Sequence, residues 1–310
     1  MRFDLLSLKL FASVCEEQSI ARAAEREHIA PSAVSKRISD LEMQLKSPLF
    51  RRTPKGLKLT PSADALLHHA RILLRDLAQM ESELADHTKG VCGQVRIHAS
   101  VSTIVQHLPH DLREFLAEHA AIRIDLEQGT SQEVVQAVAA NVADIGIFGG
   151  CRPLAGLRVY PYRSDRLVIL TPVGHRFAGL ARVKFADVVA EDLVGPQKGS
   201  FLDSLVQRAA AELNHPLNLR VRVNGFETVC SMVAAGLGVG IAPERCARDY
   251  VAAGRVAMVP LDEEWATRHW KLCVREESAL PPPVRLLMEH LSPEARATAR
   301  GMRLVAGGRR

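Results

Sequence analysis

The stretch Ala30-Pro-Ser-Ala-Val-Ser-Lys-Arg-Ile-Ser-Asp-Leu-Glu-Met-Gln-Leu45 decides how the first sixty residues fold. Pro31 stands where a first helical residue is best placed, because its fixed φ suits the turn and its missing N–H is not needed there. From it Val34, Ile38, Leu41 and Leu45 follow at helical spacing and form one buried stripe. The other face carries Ser32, Ser35, Lys36 and Ser39, short hydroxyls around one long cation, with Arg37 beside them. Such a surface can enter a major groove and reach base edges and phosphates. A polar helix face on its own is usually only solvated, so its neighbours have to carry the argument.

Upstream, Leu8, Phe11 and Cys15 recur with a helical period over residues 4–17, and Ser19 stands as an N-cap before a short helix over 20–27. Downstream, Leu49 and Phe50 lead into Arg51-Arg-Thr-Pro-Lys-Gly56, and Leu57-Lys-Leu59 then alternates. Proline and glycine mark a turn between two short strands. A hairpin bearing Arg51, Arg52, Lys55 and Lys58 next to a helix-turn-helix is a wing, placed to hold the phosphate backbone or enter a minor groove. Pro31, Ser32, Ser35, Lys36, Arg37 and these four cations are the candidate contacts to double-stranded DNA.

Thr60-Pro61 repeats the cap-plus-proline start, and Leu66, Ala70, Leu73, Leu77, Met80 and Leu84 then step alternately by four and three, a heptad seam. A helix over 61–87 would be roughly 40 Å long, too long for a small winged domain to cover. Pairing along it would bring two winged domains to one roughly palindromic site. Residues 88–93 read as a linker.

Charge supports this division. The 310 residues carry 40 Lys and Arg against 35 Asp and Glu, a formal +5. Residues 1–61 hold eleven of the cations against seven acids, the last fifteen residues add five arginines and no acid, and the long middle is net negative. A basic first domain on an acidic body suggests a polyanion for that domain alone. At 47% hydrophobic and 24% charged the chain is globular. No apolar run is long enough for a membrane span, Arg2, Asp4 and Lys9 interrupt any leader-like start, and a cytoplasmic location is expected. The six cysteines are widely spaced, with no metal-ligand or redox spacing. Reduced, mostly buried thiols are expected.

From Gly93 onward strands alternate with helices: strands at 95–99, 122–126, 144–148, 167–170, 221–223, 239–242 and 271–275, and helices near 108–116, 134–138, 202–213 and 226–236. That alternation argues for α/β layers. Ser100, Ser102 and Thr103 follow the first strand, and Thr130 and Ser131 open a helix after the second. Hydroxyls and free N–H groups at helix starts, at the carboxyl ends of strands, suit an anionic ligand.

The runs Ser19-Ile-Ala-Arg-Ala-Ala24, Ala33-Val-Ser-Lys-Arg-Ile38, Leu41-Glu42, Pro48-Leu-Phe-Arg-Arg-Thr53, Gly56, Leu59-Thr60 and Ala65-Leu-Leu67 resemble the N-terminal signature of LysR-type transcriptional regulators. The family commonly has Ser-Gln before its recognition helix where this chain has Ala30-Pro31, so the operator sequence is not carried over. The resemblance implies a winged helix-turn-helix over 1–60, a linker and dimerisation helix with hinge over 61–91, and a two-lobed α/β effector domain over 92–295, like a type 2 periplasmic binding protein. Lobe one would comprise 92–162 and 270–295 and lobe two 163–269, with a basic tail at 296–310. It also implies a small-molecule effector between the lobes, homodimers or homotetramers, and RNA polymerase as a partner. On that reading Ser200, Phe201, Phe226 and Thr228 face Ser100, Ser102, Thr103, Thr130 and Ser131 across the cleft.

Two alternatives remain open: a redox-sensing regulator of the same fold, and a metabolic enzyme with an appended DNA-binding domain. Enzyme motifs are missing. Gly236-Leu-Gly-Val-Gly240 lies after a helix and before a strand, the reverse of what phosphate binding requires. There is no GxSxG, HExxH or phosphate-loop signature, and His68, His69, His107 and His110 read as solvated or structural. No cofactor or metal is expected.

Overall fold

A computed structural model describes residues 3–53, 56–85, 91–275 and 280–298, with the backbone alone at 52, 53, 75, 76, 78, 79 and 81–85. It divides into two compact units, Met1–Gly93 with Ala140–Val142, and the remainder.

In the first unit the capping residues found in the sequence set the boundaries. The Asp4 carboxylate accepts from the Ser7 N–H at 2.9 Å and the Ser7 hydroxyl at 2.7 Å, opening α1 (Leu5–Glu17). Ser19 caps α2 (Ile20–Arg26), and Pro31 opens α3 (Pro31–Leu45), which ends at Lys46 in the left-handed region, φ 52°. Leu10, Phe11, Val14, Ala23, Val34, Leu41 and Leu49 form the core. Glu42 accepts from the Leu49 N–H at 2.7 Å, and so fastens α3 to the root of a hairpin, β1 (Phe50–Thr53) and β2 (Gly56–Leu59). The Thr60 hydroxyl donates to Pro48 O at 2.7 Å and accepts from the Ala63 N–H at 3.2 Å. One side chain thus closes the hairpin and starts α4 (Pro61–Ala85).

The second unit holds a mixed sheet, its central strands buried on both faces. One half contains β3 (Gly93–Ala99), β4 (Ile122–Gln128) and β5 (Ile145–Phe148); the other contains β7 (Leu193–Gly195), β8 (Leu219–Arg222), β9 (Val239–Pro243) and β10 (Ala257–Pro260). Two long antiparallel strands join them, β6 (Leu157–Thr171) and β11 (Thr267–Arg275). β6 pairs with β11 through 157–166 and with β9 and β10 through 167–171. Only 167–170 reads as a strand in the sequence. Pro161 and the polar run Arg163-Ser-Asp-Arg166 obscure the rest, and the ladder itself shifts register opposite them, between His269 and Lys271.

The helices on this sheet are α5 (Val101–Gln106), α6 (Leu108–Glu118), α7 (Ser131–Ala139), α8 (Phe185–Val188), α9 (Phe201–Glu212), α10 (Phe226–Ala234), α11 (Glu244–Ala252) and α12 (Pro282–Leu291). α5 is not expected from the sequence, which places the first helix after β3 near 108–116, whereas Ser102 and Thr103 already belong to one. Arg268 lies fully inside the sheet junction, its guanidinium forked on Asp165 by two 2.7 Å bonds.

Candidate DNA interface and ligand cleft

On α3 the apolar stripe is buried and leaves Pro31, Ser32 and Lys36 exposed and Ser35 half-buried on one face. Arg37 is different. Its Nη1 lies 3.1 Å from Asp4 Oδ1 and 3.0 Å from Ser7 Oγ, clamping α3 to the start of α1, so this candidate DNA contact is a helix clamp. The Ser7 hydroxyl and N–H, with Arg37 behind them, hold the Asp4 carboxyl below its usual range. On the hairpin Arg51 and Lys58 are exposed and directly opposite each other. Two like charges on paired positions repel, a cost that a phosphate between them would remove. The Arg52 side chain and Lys55 lie outside the described residues.

The seam on α4 divides. Ala70 is fully buried in the winged unit's own core, next to Leu67, which removes it from the candidate dimer contacts. The helix is amphipathic enough to serve two surfaces, and its first half is used by α1. Leu66 and Leu77 are half-buried, while Leu73 and Met80 are about half exposed, at 50% and 49%. The Leu84 side chain lies outside the described residues.

In the second unit a cleft of about 120 Å³ is lined by Ser100, Ser102, Thr130, Ser131, Ser200, Phe201 and Phe226, seven of the nine candidate effector residues. Thr103 and Thr228 are not among its walls. Thr103 is fully buried with its hydroxyl donating to Ser100 O at 2.8 Å, and Thr228 sits further into α10. Sequence reasoning missed Gln128, Gln197, Glu133 and Trp270, which also line the cleft. Gln128 and Gln197 flank candidates already chosen and could have been found that way; nothing local marks Trp270, which enters from β11.

The lining hydroxyls are already engaged. Ser100 and Ser131 share a hydrogen bond at 3.3 Å, and Ser131 accepts from the Gly149 N–H at 3.2 Å. Ser102 accepts from Arg268 at 3.2 Å. The Thr130 N–H and hydroxyl both donate to Glu133, at 2.8 and 2.9 Å, a capping box that opens α7 and holds the Glu133 carboxyl below its usual range. Of the four helices that start at the cleft, α7 and α9 have side-chain caps and α5 and α10 do not. Opposite the serines, the Phe201 ring packs edge-on against Trp270 at 5.6 Å. A Cβ at Gly150, φ 71°, would come within 2.0 Å of the Phe201 ring, so that glycine is what lets the ring sit there.

The cysteines bear on the redox alternative. Cys230 and Cys246 are brought together, the Cys230 thiol 3.9 Å from Cys246 O, although the sequence separates them widely. Burial pushes Cys230 up to about 11 and Cys246 up to about 12. Both are therefore thiols at neutral pH, which are poor nucleophiles.

Comparison with known families is decisive once this geometry is in hand. A model for the LysR substrate binding domain matches residues 88–296, and one for the bacterial regulatory helix-turn-helix protein, lysR family, matches residues 5–64. The chain belongs to the LysR family. The RuBisCO operon transcriptional regulator of Allochromatium vinosum is 26% identical over 296 residues, covering 95% of this chain and 97% of its own. A full-length OxyR variant from Pseudomonas aeruginosa superposes with a TM-score of 0.73 at 22% identity, over 96% of this chain and 95% of that one. Full-length CbnR complexed with its target DNA gives 0.67 at 22% identity, over 94% and 100%. The LysR-family assignment makes this a DNA-binding transcriptional regulator with a ligand-binding domain, as the N-terminal signature implied. Among the described residues no helix is long and apolar enough to cross a membrane, and no three side chains gather as a metal site.

Proposed function

We propose that this regulator works in the cytoplasm as a homodimer, or a tetramer of two such dimers, on a roughly palindromic operator, and hands its state to RNA polymerase. Pairing uses the exposed part of α4 around Leu73, Leu77 and Met80. Ser32, Ser35 and Lys36 read base edges, while Arg51 and Lys58 hold phosphates. The winged domain, 1–60, is joined by 61–91 to an effector domain whose lobes, 92–162 with 270–295 and 163–269, exchange in the middle of β6 and β11.

The observation that carries the sensing part is the cleft, with hydroxyls from α5 and α7 on one side and the starts of α9 and α10 on the other. The effector is a small molecule with an anionic group at the uncapped starts of α5 and α10, where unpaired N–H groups favour negative charge, and with donors directed at Glu133. Its binding favours one arrangement of the lobes, and can shift that equilibrium only as far as its affinities for the two arrangements differ. A thermal-shift screen of small hydroxy- and aromatic carboxylates on the full chain tests this. A stabiliser whose effect is lost in Ser102→Ala, while operator binding in gel shift persists, supports the reading; stabilisation untouched by that change puts the effector elsewhere.

A further inference from the structure

α5 separates the cleft from a larger cavity. Its first residues line the cleft, and Gln106 and His107 at its other end line a solvent-open cavity of about 710 Å³, whose other walls are the start of α6, β6 from Tyr162 to Arg166 and α11. No residue lines both. Two of the residues lining this second cavity carry a buried polar atom without a hydrogen-bond partner, Gln106 Oε1 and His107 Nε2, the latter on a residue only 6% exposed. Buried polar atoms are nearly always satisfied, so a pair of exceptions on one wall calls for a partner.

The charges point to its chemistry. Each carboxylate of the cavity is already occupied. Asp111 accepts from the Tyr162 hydroxyl at 2.6 Å and from Arg163 at 2.9 Å, and Glu244 holds Arg248 at 2.9 Å. Asp165 accepts from Arg268, from Trp270 Nε1 at 2.9 Å and from Gln106 Nε2 at 2.7 Å. Arg166 and Arg245 are left without an ion pair among the described residues; Arg245 makes a single 3.4 Å bond to Gln106 O. Two exposed guanidinium groups without an ion pair, on the lining that also holds an unpartnered imidazole and amide carbonyl, suit a small oxyanion that also carries a hydrogen-bond donor.

We propose that this cavity is a second ligand site, for a small multivalent oxyanion, coupled to the cleft through Asp165. That carboxylate receives Gln106 from the cavity side and Arg268 and Trp270 from the other. Arg268 in turn donates to Ser102 in the cleft, whose wall includes Trp270. A ligand that engages Gln106 therefore changes the hydrogen bonding of the cleft's own serine and tryptophan.

The full chain carries two tryptophans, so Trp265→Phe leaves Trp270 as the reporter. Its fluorescence is titrated with inorganic phosphate and, separately, with citrate, each against chloride at matched ionic strength; the two arms separate a phosphate from a carboxylate ligand. A saturable response is expected from at least one. Its affinity should fall roughly tenfold or more in Arg166→Gln/Arg245→Gln and less in Arg245→Lys, which keeps the charge but loses the fork. It should hold in Val223→Phe, which narrows the cleft without adding a tryptophan. No saturable response up to tens of millimolar, a response indifferent to the arginines, or one abolished only by Val223→Phe would each overturn the proposal. Operator binding and cleft-ligand affinity are read separately, so the regulator reading can survive this failure.

Discussion

The proposed reading face of α3 and the proposed ligand cleft of the second unit use the same residue types to opposite ends. On α3, Ser32 and Lys36 stand exposed, while Arg37 and Glu42, polar residues of that helix with strong internal partners, hold the unit together. In the cleft the serines and threonine are tied into internal bonds before any ligand arrives, Ser100 to Ser131, Ser102 to Arg268, Thr130 to Glu133. DNA brings a dense row of phosphates and base edges, so its reader needs only open side chains on a firm helix. A small molecule offers few contacts, and its site must be held in shape beforehand. Preorganisation at the cleft therefore rests on a buried network, while at the DNA face it rests on apolar packing beneath an open surface.

The sharpest way to break this contrast is to cut the network at its centre. Arg268→Ala leaves Asp165 buried without its counter-charge and should lower unfolding free energy by about 3–5 kcal/mol, measured by urea titration of the full chain. A loss near that of a surface substitution would mean that the cleft is not held by this pair. Leu73→Glu with Leu77→Glu should abolish pairing, since charges set into a seam would be desolvated without partners. Sedimentation should then give monomers and operator binding should lose cooperativity; an unchanged oligomer would move the dimer contact off α4.

Smaller effects test each side separately. At the DNA face, Lys36→Ala or Ser35→Ala should cost roughly 1–3 kcal/mol of discrimination for the operator. Arg51→Ala should weaken all DNA alike and reduce the salt slope by about one. In the cleft, Gly150→Ala should displace the Phe201 ring and cost about 1–3 kcal/mol, while leaving operator affinity without effector intact.

The least effect expected is that of pH. Burial holds the His107 imidazole below its ordinary range, aided by Arg245 and Arg163 and opposed by Asp165 and Asp111. The folded protein therefore binds fewer protons there than the unfolded chain. This residue's contribution is complete above the unfolded value of about 6.5 and declines as pH falls through that value towards the folded one. His107→Gln should flatten stability against pH over that window; parallel curves for the two proteins would remove His107 as the cause.

The winged unit was legible almost residue by residue, because its signals are local: Asp4, Ser19 and Thr60 as caps, Pro31 and Pro61 as helix openers, Val34, Ile38 and Leu41 as one stripe. The strand and helix alternation of the second unit was legible for the same reason, as were seven of the cleft's wall residues, which stand at helix starts. Sequence periodicity could not say which neighbours those faces meet. Ala70 reads as part of a seam and lies in its own core, because a helix with a wide apolar stripe can serve two surfaces. Arg37 reads as a DNA contact and is bound by Asp4, thirty-three residues away. The length of β6, the entry of Trp270 into the cleft, and the junction of Asp165 with Arg268 across 103 residues are products of long-range strand pairing. Caps, turns and stripes are energies of adjacent residues and are written in order along the chain. Ion pairs, buried networks and cavities depend on which distant segments are brought together, and only the folded sheet decides that.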